Sequence, residues 1–125
     1  MSTLTVSMVS TERNVWEGEA SLVVLRTLDG EVGIMPGRAP MLGILSDGPM
    51  LIRPTEGDDV RAFVHSGFAM VDGNQVIVLA ENVELASEID VRQAEKELEE
   101  AQADGTEAEV RKAERRLQVA VGPHH

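Results

Sequence analysis

The sequence predicts a mixed fold: an N-terminal antiparallel β-sandwich of about ten strands, followed by a C-terminal antiparallel two-helix hairpin. Three observations carry this. Residues 1–86 hold short runs rich in Val, Ile, Leu and Thr, separated by turn residues: Asp-Gly at 29–30, 47–48 and 72–73, and Glu-Gly-Asp-Asp at 56–59. The composition then changes near Ala86: from 87 to 121 the only glycine is Gly105, proline is absent, and Glu, Ala, Arg and Leu dominate. Within that second part, apolar residues recur at helical spacing on either side of Asp104-Gly105.

The strands read in order. Leu4, Val6 and Met8 alternate with Thr5 and Ser7, the period of a half-buried strand. Residues 14–18 form a short strand or bend, and 21–27 a strand with Leu22 and Val24 on one side, Val23 and Leu25 on the other. Asp29-Gly30 makes a tight turn into Glu31-Val32-Gly33-Ile34-Met35. A short strand at 41–45 follows, then a hairpin of 48–54 with 60–67 about the 55–59 turn. The clearest hairpin joins 68–71 to 75–80 through Asp72-Gly73-Asn74. Many short strands with regular turns mean a sandwich or flattened barrel.

The helices carry their own punctuation. Ser87 is the expected N-cap of the first, with Asp90 three residues on; Thr106 caps the second, with Glu109 completing a capping box. Val91, Ala94, Leu98 and Ala101 share their offsets with Val110, Ala113, Leu117 and Ala120, a narrow seam built for one partner helix. The first helix is strongly acidic and the second slightly basic, so they attract. Full burial of the four larger seam residues contributes at most ~6–12 kcal/mol. Each helix is near the ~12–15 residue limit for isolated helices, so the hairpin should need a surface to dock on. Arg111, Lys112, Arg115 and Arg116 cluster on one side of the second helix, a basic face suited to an acidic partner.

Composition bounds the function. A length of 125 residues suits one small domain, 1–86, with an appendage, 87–125. With three aromatic residues, Trp16, Phe63 and Phe68, the core must be aliphatic. Cysteine is absent, which excludes disulfide and thiolate chemistry and suits a cytosol-facing protein. No apolar run approaches the ~20 residues of a membrane span, and no signal peptide is visible at the N-terminus. A net charge of −11 disfavours nucleic acid and anionic membrane surfaces as partners.

Catalytic chemistry finds no constellation. His65 has no second ligand at metal spacing, and terminal His124-His125 reads as a frayed tail rather than a metal site. Ser66-Gly67 lacks the G-x-S-x-G context, and neither G-x-G-x-x-G nor a P-loop occurs. The expectation is a protein with no catalytic residues, no metal and no cofactor.

The segments "GEVGIMPGRAP", "SGF" and "VIVLA", spaced as they are and followed by an acidic and then a basic helix, closely resemble the epsilon subunit of bacterial F-type ATP synthase along essentially the whole chain. The resemblance implies a non-catalytic subunit of the central stalk. Its sandwich (1–86) binds the gamma subunit on one side and stands on the c-ring at one end. Its regulatory hairpin (87–125) rises toward the alpha and beta subunits and restrains ATP hydrolysis, without direct membrane insertion, at the cytoplasmic face of the cell membrane. It further implies that Glu31, with Met35, Pro36, Gly37, Arg38, Ala39 and Pro40, faces the polar loops of the c-ring. Two prolines that fix φ and a glycine that permits a tight path make that loop stiff. Arg38 stands where relatives often carry His, which removes pH sensitivity and favours an acidic or carbonyl partner. Some members bind ATP through an I/L-D-x-x-R-A motif. Here Ile89, Asp90 and Arg92 stand in "IDVRQA", with the arginine one position early and Gln93 in its place. One helical position is a rotation of about 100°, so ATP binding is not expected. The alternative is a free-standing β-sandwich adaptor with a helical docking hairpin, which leaves the coincidence of three spaced motifs unexplained.

Overall fold

The computed structural model describes residues 2–122; His124 and His125 lie outside them. Seven strands run in order: β1 (Leu4–Ser10), β2 (Asn14–Thr27), β3 (Gly30–Ile34), β4 (Met41–Leu45), β5 (Gly48–Pro54), β6 (Val60–Asp72) and β7 (Gln75–Leu85). A single 3-10 turn, Ala86–Glu88, leads to α1 (Val91–Asp104) and α2 (Glu107–Val121).

The expected count of about ten becomes seven because three strands are long and bent. Side chains on a strand alternate, so inward positions keep one parity. In β6 the residues buried between the layers are Ala62 and Val64, then Ala69 and Val71; in β7 they are Val76, Val78 and Ala80, then Val83. In β2, Ala20 gives way to Val23 and Leu25, with a register shift at the change. Each long strand therefore turns a corner and contributes to both layers, as strands of sandwiches do at bends and bulges. Counted by halves there are ten segments. One layer joins β4, 67–72, 75–80, β1 and 14–20. The other joins β3, 21–27, β5, 60–65 and 82–85.

The corner of β6 has a visible cause. Ser66 and Gly67 have φ of 37° and 149°, and the Ser66 N–H donates to Asp47 Oδ1 at 2.9 Å. A Cβ on Gly67 would stand 2.0 Å from the Leu79 carbonyl oxygen, so the two strands can cross there only because the residue is glycine. Between the layers lie Leu4, Val6, Met8, Val23, Ile34, Ile52, Val76 and Val78, all without measurable exposure.

The helical hairpin follows its sequence with two corrections. The N-cap of α1 is Asp90, whose side chain accepts from the Gln93 N–H; Ser87 sits inside the 3-10 turn instead. Three residues of chain were needed to bring α1 off the last strand, and the cap moved with its start. At α2, Thr106 and Glu109 form the expected capping box. The seam residues are withdrawn from solvent, but only Ala94 is fully buried; in α2 the fully buried residue is Val119, off the seam. Val119 faces the sandwich, where it joins Phe63, Ile89 and Ala94 in a second core, with Leu117 and Ala120 at its margin. The hairpin thus docks on the outer side of the second layer, against β5 and β6. Phe63 and Val119 each stabilise this docking by roughly 1.5–3 kcal/mol.

Gly67→Ala should destabilise the chain by about 3 kcal/mol or more, from left-handed strain and overlap with backbone that cannot yield. Gly33→Ala, with open space around it, should change stability by less than ~1 kcal/mol. Urea unfolding of the two variants checks the contrast.

Candidate functional site

Three surfaces carry the residues singled out by sequence. The first is the loop between β3 and β4. Pro36 and Gly37 are the central residues of a turn closed by the Arg38 N–H on the Met35 carbonyl at 3.3 Å. Gly37 has φ +91°, which a type II turn after proline demands. Its N–H donates to Asn74 Oδ1 at 2.8 Å. Asn74 (φ 65°) and Gly73 (φ 56°) form the β6–β7 turn, a primed hairpin turn, so two connections are tied together at one end of the sandwich. Arg38 folds back: its Nη1 donates to the Gly33 carbonyl at 3.2 Å and its Nε to Met41 Sδ at 3.2 Å, which supplies a carbonyl partner within the chain. Glu31, Met35, Gly37, Arg38, Ala39 and Pro40 are exposed; Pro36 is half-buried.

The second surface is the outer side of the first layer. Leu42 lies opposite Met70 and Met70 opposite Ile77; Ile44 lies opposite Phe68 and Phe68 opposite Leu79. Directly opposed side chains on a sheet are neighbours, so these form one stripe across three strands. It is open to solvent: Leu42 is 70% exposed, Ile44 61%, Phe68 43%, Met70 42% and Leu79 37%. A contiguous apolar patch rimmed by polar residues marks a docking site. Sequence reading missed it, because alternation alone cannot say which parity faces inward once a strand changes parity.

The third surface is the junction of hairpin and sandwich, where the basic face of α2 lies. Arg116 grips Glu84 of β7: Nε is 3.1 Å from both carboxylate oxygens and Nη2 2.9 Å from Oε2. Its Nη1 reaches Glu97 of α1 at 2.7 Å. Lys112 Nζ is 3.2 Å from Asp47 Oδ2, and Arg115 donates to the Asp47 carbonyl at 3.5 Å. Arg111 makes no ion pair among the described residues. Burial pushes the Glu84 carboxyl up, but hydrogen bonds from Arg116 and His65 and the attraction of both outweigh it and hold the group below its usual range. Asp47 behaves alike: burial raises it, and the Ser66 N–H and Lys112 more than offset this. Glu84 and His65 were the available clue in the sequence, polar residues placed inside strand runs.

The segment 89–94 is arranged for structure. Ile89 is buried in the second core, and Asp90 caps α1. Arg92 is exposed, and Gln93 Nε2 donates to Glu97 at 3.2 Å. Among the described residues no group of three His, Asp or Glu side chains could hold a metal.

A sandwich with an open apolar face, a stiff loop cluster at one end and a docked hairpin defines a subunit that works by contact with other chains. The comparisons with known proteins agree. The family described as "ATP synthase, Delta/Epsilon chain, beta-sandwich domain" matches residues 3–86. The "ATP synthase epsilon chain" of Streptomyces coelicolor is 47% identical over 119 residues, 95% of this chain and 96% of that one. That of Streptomyces avermitilis is 49% identical over 116 residues, 93% and 94% of the two chains. That of Micrococcus luteus is 46% identical over 85 residues, 68% of this chain but 93% of its own length, so that relative is about as long as the sandwich alone. In fold, the chain is similar to one in the mitochondrial ATP synthase of Euglena gracilis, in an assembly of OSCP, F1 and c-ring. The TM-score is 0.76 at 21% identity, covering 97% of this chain and 79% of that one. A chain of the central stalk and c-ring of the Tetrahymena thermophila mitochondrial enzyme gives 0.66 at 14% identity, covering 94% and 98%. The chain belongs to the ATP synthase delta/epsilon chain family. Like the bacterial epsilon chains, it is a non-catalytic subunit of the rotary ATP synthase.

Proposed function

We propose that this subunit belongs to the rotor of a bacterial proton-translocating ATP synthase, as a peripheral protein at the cytoplasmic face of the cell membrane. The sandwich holds gamma and stands on the c-ring, and so helps pass c-ring rotation to gamma. The hairpin, once released, rises along gamma toward alpha and beta and restrains ATP hydrolysis. The observation that supports this most strongly is the apolar stripe of β4, β6 and β7. It lies on the layer that the hairpin leaves uncovered, so gamma can be held there while the hairpin stays docked. The loop at 35–40 suits a mechanical foot, since proline, a backbone turn and the Asn74 tether all limit its motion.

In the assembled enzyme, a photoreactive side chain at Ile44 should capture gamma, and one at Ala39 should capture a c subunit. Ile44→Glu should weaken gamma binding about tenfold or more, because it buries an unpaired charge, while leaving the fold intact at this exposed position. Capture of neither partner would overturn the rotor reading.

Three cations of the basic face hold the docked state, so release frees them for acidic segments of the alpha–beta head or gamma. Arg111 separates the two roles, because in the docked form it makes no ion pair among the described residues. Arg111→Gln should raise ATP hydrolysis by the assembled enzyme by up to about fivefold, the equivalent of ~1 kcal/mol for an exposed pair. Hydrolysis that matches wild type would leave the basic face without an inhibitory role.

On the same reading the chain takes no ATP through residues 89–94. The Asp90 carboxylate is engaged as a cap, and Gln93 occupies the arginine position of the motif. Calorimetric titration of ATP into the isolated subunit should show no micromolar binding, and a micromolar affinity would refute this.

A further inference from the structure

The hairpin–sandwich junction contains one histidine, the side-chain type best suited to a proton switch, and it has no part in the rotor reading. His65 stands on the outer side of the second layer. Its Nε2 lies 2.8 Å from Glu84 Oε1; a carboxylate only accepts, so Nε2 carries the proton. The ring meets Phe63 edge-on, with centroids 4.9 Å apart. Charged groups face it from every element packed around it. Glu84 comes from β7, and Asp47 acts on it from the corner between β4 and β5. Lys112, Arg116 and Glu109 of α2 line the same cleft of about 410 Å³, as does Glu97 of α1.

We propose that His65 is a proton-operated release for the hairpin, so that an imidazolium at this position weakens docking. In the docked form Glu84 is shared with Arg116, and Asp47 is paired with Lys112. The ring is also largely withdrawn from water, at 19% exposure. When α2 leaves, both cations leave with it. Water then reaches the ring, and two uncompensated carboxylates face it. Each change favours the charged imidazole. The released form binds the proton more tightly, and by reciprocity the proton promotes release. Docking is therefore strongest at alkaline pH and weakens as pH falls and the imidazole takes up its proton. Glu84 and Asp47 are held below their usual carboxylate range, so their own loss of charge acts only at lower pH. On the rotor reading, on which this consequence alone rests, acidification of the compartment around the subunit frees the hairpin.

The isolated subunit suffices for the test. The chain has no cysteine, so Val119→Cys supplies a unique thiol that a labelling reagent reaches only after release. His65→Gln keeps a donor toward Glu84 at every pH and cannot titrate. The ratio of labelling rates in the His65 and His65→Gln backgrounds cancels the thiol's own pH dependence. That ratio should rise about tenfold between pH 8 and 5.5, the factor that one pH unit of differential proton affinity supplies; a flat or falling ratio overturns the proposal. A second measurement needs no cysteine. The NMR titration of the His65 ring should move to higher pH in Arg116→Gln, and an unchanged or lower midpoint overturns the proposal as well.

Discussion

A strand cannot change which parity faces inward without a break, and the molecule depends on where those breaks fall. β6 turns its corner at Ser66-Gly67. Before the corner, Phe63 and His65 face outward; after it, Phe68 and Met70 do. One strand thereby supplies an outward aromatic anchor to each layer. The anchor on the second layer lies under the hairpin, and the one on the first is open to solvent. The same corner brings Asp47 beside Ser66 and places its carboxylate within reach of Lys112. Docking surface, latch and open face all follow from one change of direction.

The hairpin is held by two unequal means. Its apolar contribution is small, because half the seam is alanine and only Val119 and Ala94 become fully buried. Its polar contribution is specific, because the Arg116 guanidinium meets Glu84 through three contacts while also holding Glu97. A guanidinium engaged on both the sandwich and α1 fixes the register of three elements at once. Partly exposed ion pairs of this kind contribute little net stability but give orientation. Weak apolar docking guided by charge suits the release proposed above.

Local features were legible in the sequence, and long-range ones were not. The turns at Asp29-Gly30 and Gly73-Asn74, the Thr106–Glu109 capping box and the change of grammar near Ala86 each rest on neighbouring residues, and each is present. The bends were hidden because Ser66-Gly67 looks like the end of a strand; only pairing with β7 on both sides reveals that β6 continues. Val119 lies off the offsets that define the helix–helix seam, since it answers to the sandwich. The four cations of α2 were visible as a face, but the sandwich acids that three of them meet lie 32 to 68 residues away in the chain. Spacing within one helix holds no information about Glu84 or Asp47. The stripe of Leu42, Ile44, Phe68, Met70 and Leu79 was out of reach for the same reason.

The 3-10 turn after β7 is anchored at both ends of its acidic residue. The Glu88 carboxylate pairs with Arg13 in the β1–β2 connection and also accepts the Leu85 N–H. Residues up to Glu88 are thus fastened to the sandwich, which leaves Ile89 and Asp90, both extended in backbone, as the pivot of the proposed release. An α1 of 14 residues is ~21 Å long at 1.5 Å per residue. A hairpin swinging as one piece therefore carries its tip at Gly105 no farther than about that radius. Reach beyond it requires the two helices to part and run end to end. On the proposed release, the distance at which this subunit acts is set by whether the alanine seam between α1 and α2 opens.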